Sequence, residues 1–175
     1  MKVIRDLEIS ASEFFNALLD NVIDDIVTNT GKEVAKENLK KGFKFVYRGE
    51  NIGQHITFEI VDYQQDKVYK AKRKSINGTV SVYYVAKPND KGGITVTFEQ
   101  TFPEESKKQG TLMKGFSETI YLGRMTDSLY DIQKKVLLSK EGRKEQKNFL
   151  MPSFWSDINK EIKRNKKRKQ LEKNK

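Results

Sequence analysis

Few side chains in this chain have the types and spacing for chemistry, and most of those point toward binding. His55 is the only histidine, and it sits on the strand parity opposite Ile56, Phe58 and Ile60, so alternation turns it away from the interior, where a general base would have to work. Asp20, Asp24 and Asp25 crowd one region of a helix, with Asp20 and Asp24 side by side as in a metal site. No histidine or cysteine accompanies them, and they read as a solvated face opposite Phe14, Leu18 and Val22. Gly92-Gly93 lacks the spacing and the helix start of a phosphate loop and reads as a turn. The absence of cysteine excludes a disulfide framework, a thiol nucleophile and a thiolate metal site. What remains is Tyr47, Tyr69, Tyr84, Arg73 and Gln100, on the same strand parity as a run of apolar residues. Phenols, an amide and a guanidinium around an aromatic floor suit an amphipathic molecule, with Arg73 pairing a carboxylate or phosphate if the molecule carries one. The same side chains also suit a plain core in which the hydroxyls reach backbone or water. No cofactor and no metal is expected.

The elements that must position these groups are legible in the periodicity. Met1 to Ile9 alternates, with Val3, Leu7 and Ile9 on one parity, as a half-buried strand does. Ser10 and Glu13 form a capping-box signature, after which Phe14, Leu18, Val22 and Ile26 recur every fourth residue. This helix is predicted to end near Thr30-Gly31, and a second short helix is predicted over Ala35 to Lys41, stopped by Gly42. From Phe43 the period changes to two. Phe43, Phe45 and Tyr47, then Ile56, Phe58 and Ile60, then Tyr69 and Ala71, then Val80, Val82 and Tyr84, then Ile94, Val96 and Phe98 supply the inner faces of five strands. Asn77-Gly78 and the stretch Asn89 to Gly93 are hairpin turn chemistry, so the strands form an antiparallel meander whose apolar face needs a cover. Gly110 to Ser139 is the expected covering helix, with Leu112, Phe116, Ile120, Leu129, Ile132 and Val136 at helical spacing.

The stretch Ile9-Ser10-Ala11-Ser12-Glu13-Phe14-Phe15, with Asp24-Asp25-Ile26, Thr30-Gly31-Lys32, Leu39 and Gly42, resembles the N-terminal pattern of a small bacterial family of unknown function. Val82-Tyr83-Tyr84 and Val96-Thr97-Phe98-Glu99 resemble its strand pattern. That family is similar to START-type, or helix-grip, proteins, the group of lipid-transfer domains, the birch pollen allergen and polyketide cyclases. The resemblance covers roughly residues 1 to 139 and carries no catalytic signature. It implies an α+β helix-grip fold: a curved antiparallel sheet of about six strands around a long C-terminal helix, with two helices after the first strand. It also implies an apolar ligand cavity between sheet and helix. Joined to the strand parity, the cavity lining is Phe45, Tyr47, Phe58, Tyr69, Arg73, Val82, Tyr84, Val96, Phe98 and Gln100, with Phe116 and Ile120 from the helix.

At 175 residues, 36% of them hydrophobic, the chain suits one domain plus a tail. The charge of +10 is unevenly placed: residues 140 to 175 hold 13 basic and 5 acidic residues, leaving a nearly neutral body of 21 and 19. Residues 1–142 are expected to form the helix-grip domain and 143–175 a basic amphipathic helical extension with a disordered end. In that extension Phe154, Ile158 and Ile162 share a face beside Trp155 and many lysines. It could dock on the body or on a second subunit, lie on an anionic membrane, or neutralise nucleic-acid phosphates. Met1 to Ile9 lacks the apolar run of a signal peptide, and no stretch approaches the ~20 apolar residues of a membrane span, so the expectation is a soluble, cytoplasmic protein. The function expected is non-catalytic binding of a hydrophobic or amphipathic small molecule, with cyclase-like chemistry open. The alternative is an interaction module that works through its basic tail.

Overall fold

The computed structural model describes residues 1–48, 55–76, 78–102 and 111–142, with the side chains of the last segment described from residue 118. Strand β1 (Lys2–Leu7) leads through Ser10 into helix α1 (Ala11–Thr30). The capping box forms as the sequence predicts: the Glu13 backbone N–H donates to the Ser10 hydroxyl at 3.3 Å, and the Ser10 N–H donates to the Glu13 carboxylate at 2.9 Å. Gly31 closes the helix with φ +68°, its N–H donating to the Val27 carbonyl. The second helix expected over 35–41 is only a 3-10 turn, Lys36–Asn38. So short and so largely polar a stretch cannot offset helix nucleation, and Leu39 is the one side chain there that the core takes up.

The rest is a meander of β2 (Lys44–Arg48), β3 (His55–Gln64), β4 (Val68–Ser75), β5 (Gly78–Pro88) and β6 (Ile94–Thr101), followed by helix α2 (Thr111–Lys140). Every strand pair is antiparallel, and the sheet order is β1-β6-β5-β4-β3-β2. A register shift between Ile60 and Asp62 marks a bulge in β3, a device that bends a strand. At the β5–β6 turn the Asn89 side chain accepts from the backbone of Lys91 and Gly93, both at 3.0 Å.

The strand order dictates where α1 must go. β1 and β2 are the two edges of the sheet, so the segment joining them crosses its full width. Six strands are about 24 Å across, and a 20-residue helix is about 30 Å long, so α1 alone spans the inner face. It meets β5 near its start and β2 near its end, while α2 lies against α1 and β1. The core is therefore three-sided: the inner parity of the strands, Phe14, Phe15, Leu18, Leu19 and Ile26 from α1, and Met125, Leu129, Ile132 and Val136 from α2. α1 takes a larger share of the cover than periodicity assigns to it.

Polar ties fasten α2 to α1 and to the chain between β1 and α1. Lys135 donates to the Asn21 side chain at 3.1 Å and lies 3.8 Å from Asp24, Gln133 accepts from the Glu8 N–H at 2.6 Å, and Lys140 pairs with Glu13 at 2.7 Å. The Lys140 hydrogen bond, joined by the Ser10 backbone N–H, holds the Glu13 carboxyl down to about 2 from an ordinary 4.5. A lowered carboxyl pKa adds stability above the ordinary value and loses it as pH falls through the folded one. Glu13→Gln is therefore expected to cost about 1 kcal/mol at pH 7, the pair being partly exposed. Urea unfolding at pH 7 and at pH 2.5 checks this: the deficit should shrink toward zero at the lower pH, and an equal deficit at both would contradict it.

Candidate functional site

The inner face of the sheet carries the residues singled out by parity. Gln100 is 1% exposed, Tyr69 2%, Tyr47 6% and Arg73 8%, with Tyr84 equally enclosed. The β-register shows how they are arranged. Tyr69 on β4 stands opposite Tyr84 on β5, which stands opposite Phe98 on β6. Two residues along, Gln100 opposes Val82, and two further on Arg73 lies between Phe58 on β3 and Val80 on β5. Tyr47 is on the edge strand β2, opposite Ile56.

Two aromatic runs floor this face. Phe14 of α1, Tyr84 and Phe98 make the first, with Tyr84 and Phe98 stacked at 4.2 Å and Tyr69 at 6.2 Å from Tyr84. Phe43, Phe45, Phe58 and Tyr47 make the second, with Phe45 4.9 Å from Phe58 and 5.5 Å from Tyr47. Val82 and Val96 fill the sheet between and beside them. The Arg73 guanidinium sits over the Tyr47 ring at 5.0 Å, the arrangement in which a cation is stabilised by an aromatic face.

Asp25 joins this group from α1, against the expectation of a solvated helix face. It is half-buried, and the charge of Arg73 acts on it. Burial raises its carboxyl pKa, opposed by Arg73 and by a hydrogen bond from Asn29. Burial likewise lowers the Arg73 pKa, opposed by Tyr47 and Asp25. The signal is present in the spacing: Asp25 is seven residues after Leu18, two helical turns on, and so lies on the apolar stripe. Asp20 pairs with Lys36 and Asp24 lies near Lys135, and among the described residues no group of three metal-ligating side chains comes together. His55 is exposed at the first residue of β3.

Two helix residues belong to the expected lining. The side chain of Phe116 lies outside the described residues. Ile120 is 39% exposed, which corrects the expectation that it faces the sheet. The phase of the stripe explains it: from Ile120 to Leu129 is nine residues, about 900° of helix, which lands on the opposite face. Met125, Leu129, Ile132 and Val136 carry the buried stripe, and Tyr121 and Leu122 extend it as half-buried positions.

The polar atoms of this site are under-used. The Tyr69 hydroxyl and both polar atoms of the Gln100 amide are buried without a hydrogen-bond partner, while the buried Tyr47 hydroxyl has the Arg73 guanidinium beside it. Burial pushes the Tyr47 phenol up to about 12, against the opposing charge of Arg73, and the Tyr69 and Tyr84 phenols well above the ordinary range. All three therefore stay protonated at neutral pH and offer both donor and acceptor. An open depression lies at the connection between α1 and β2, lined by Glu33, Val34, Asn38, Lys41 and Phe43, the last of which also ends the second aromatic run.

A six-stranded antiparallel meander carrying a long helix between its first two strands and another after its last defines the α+β helix-grip class. Solved structures share the fold. A conserved protein from Geobacillus kaustophilus superposes with a TM-score of 0.51 at 16% identity, covering 79% of this chain and 95% of that one. A protein of unknown function from Staphylococcus aureus, SA2116, gives 0.50 at 13% identity, over 81% and 94%. At such identities the likeness is one of fold. No curated protein matches the chain. The chain belongs to the DUF3284 family, a domain of unknown function, which matches residues 1–122. Among the described residues no helix is long and apolar enough to cross a membrane.

Proposed function

We propose that this protein binds a small amphipathic molecule between the inner face of its sheet and its helices, and that the binding is non-catalytic. The observation that carries the reading is the set of buried, unpartnered polar atoms on Tyr69 and Gln100 within an aromatic floor. Each such group costs a folded chain on the order of 1–3 kcal/mol, and a bound molecule that supplies the missing partners removes that cost. An apolar surface with a few convergent polar groups is the usual make-up of a small-molecule site. Residues 1–142 are the proposed binding unit, with 143–175 a basic extension that binding does not need.

Native mass spectrometry of the freshly purified protein, compared with its mass after organic denaturation, tests the reading. An extra mass that is lost on denaturation supports it, and a chain ending at Gly142 should carry the same mass. Tyr69→Phe gives a sharper outcome, since it removes an orphan hydroxyl and keeps the ring. The variant is expected to be about 1 kcal/mol more stable without ligand and to hold the ligand about tenfold less tightly. Loss of stability in Tyr69→Phe would mean that the hydroxyl is satisfied in the folded protein, and the reading would fail.

A further inference from the structure

We infer that the molecule bound is uncharged, an apolar frame carrying hydroxyl or carbonyl groups at two or more separated points; this rests on the binding reading above and goes on to name the ligand's chemistry. Three observations carry it. The first is the chemistry of the unpartnered groups. Tyr69 and Gln100 present a phenol and a carboxamide, both neutral, and each can both donate and accept. The complement of such groups is a hydroxyl or a carbonyl. A carboxylate or phosphate can only accept when ionised, and would be drawn from water with no new cation to meet it.

The second is spacing. The two groups stand on β4 and β6, with β5 between them. Neighbouring strands are about 4.8 Å apart, so these two strands are separated by about 10 Å. One compact head group cannot serve both. Polar groups distributed along an apolar body can, and the aromatic runs, Tyr84 with Phe98 between them and Phe45 with Phe58 beyond, are surfaces for that body.

The third is the state of the cation at this site. Arg73 is buried, already stacked on the Tyr47 ring at 5.0 Å, and its charge is acted on by the Asp25 carboxylate of α1. An anionic head directed at Arg73 would meet a guanidinium that already lies on an aromatic face and whose charge the Asp25 carboxylate partly offsets. A neutral ligand leaves this arrangement undisturbed.

Three probes of equal chain length separate the cases: dodecanol, the dodecanediol with a hydroxyl at each end, and dodecanoate, each titrated into full-length protein at pH 8 to displace Nile red. The diol is expected to bind tightest and dodecanoate at least tenfold more weakly than the diol. In Tyr69→Phe and in Gln100→Leu the lead of the diol over dodecanol should narrow at least threefold. Dodecanoate equal to or tighter than the diol overturns the inference while leaving amphipath binding in place, as does a diol lead unchanged in both variants. If none of the three displaces the dye, or the dye itself does not bind, the binding reading falls and this inference falls with it.

Discussion

Replacing Gly93 with alanine is expected to lower the stability of the fold by about 3 kcal/mol, as much as a severe core defect. The reason is a close approach of backbone to backbone. A Cβ at position 93 would collide with the carbonyl oxygen of Leu7 and press on the neighbouring Cα of Glu8. Gly93 immediately precedes β6, whose first residue, Ile94, is in register with Leu7, the last residue of β1. Neither chain can yield locally. On one side the Gly93 N–H is fixed by the Asn89 side chain at 3.0 Å, and on the other the chain runs within three residues from Leu7 to the Ser10 cap of α1. Accommodating a methyl group means moving the end of β1 and the start of α1 together, and with them the buried pair Phe14 and Phe15. Gly92 beside it is a control. It holds φ +80° with open space where a methyl group would stand, so Gly92→Ala carries only the strain of a left-handed residue, about 1 kcal/mol. Chemical denaturation of the two variants beside the unaltered chain checks the ordering. Equal effects would mean that backbone conformation, and not the approach to β1, makes position 93 intolerant.

Much of this fold is legible in the sequence because its local signals agree with one another. Alternation in each strand names the residues that are buried, and Phe58, Val82, Val96 and Phe98 all lie inward as parity requires. The Ser10–Glu13 box and Gly31 bracket α1 at both ends by side-chain and backbone chemistry that acts within a turn. The failures arise where identity and position conflict. The charge of Asp25 suggests a surface residue although its spacing from Leu18 puts it on the apolar stripe, and the structure follows the spacing. The apolarity of Ile120 suggests membership of a stripe that its phase excludes. The short segment after Gly31 has helix-compatible residues but too few of them to form more than one tight turn. The site shows the same division. Parity places Tyr47, Tyr69, Tyr84, Arg73 and Gln100 on the inner face. Whether their polar atoms find partners depends on what α1 brings across the sheet, a non-local fact that no spacing within a strand records.

The charges at the site make the other large prediction. Arg73→Met keeps much of the length and apolar stem of the side chain and removes the cation, leaving the Asp25 carboxyl in a desolvated place without its opposing charge. Removing the opposing charge from a half-buried carboxylate costs on the order of 2 kcal/mol, less than breaking a fully buried contacting pair, because the remaining charge stays behind in a partly desolvated place. The same substitution in an Asp25→Asn background should cost at least about 1 kcal/mol less, since no anion is then stranded. The pH dependence follows from the sign of the shift. Burial already raises the Asp25 pKa, and loss of Arg73 raises it further, so the folded variant binds a proton more readily than the unfolded chain does. A raised carboxyl pKa favours the folded state at pH below the unfolded value and penalises it as pH rises through the folded one. The deficit of Arg73→Met relative to the unaltered chain is therefore greatest near neutral pH and shrinks as pH falls toward 4. Urea unfolding of the four chains of the cycle, at pH 7 and pH 4.5, measures both effects. If Arg73→Met is equally damaging whether position 25 carries aspartate or asparagine, the two charges do not interact, and the guanidinium owes its place to the Tyr47 ring and the packing of its stem alone. If instead the coupling appears and fades with acid, then the inner face of this sheet holds a self-compensated charge pair. A site of that kind leaves its neutral phenols and amide, and not its arginine, as the groups free to select what binds.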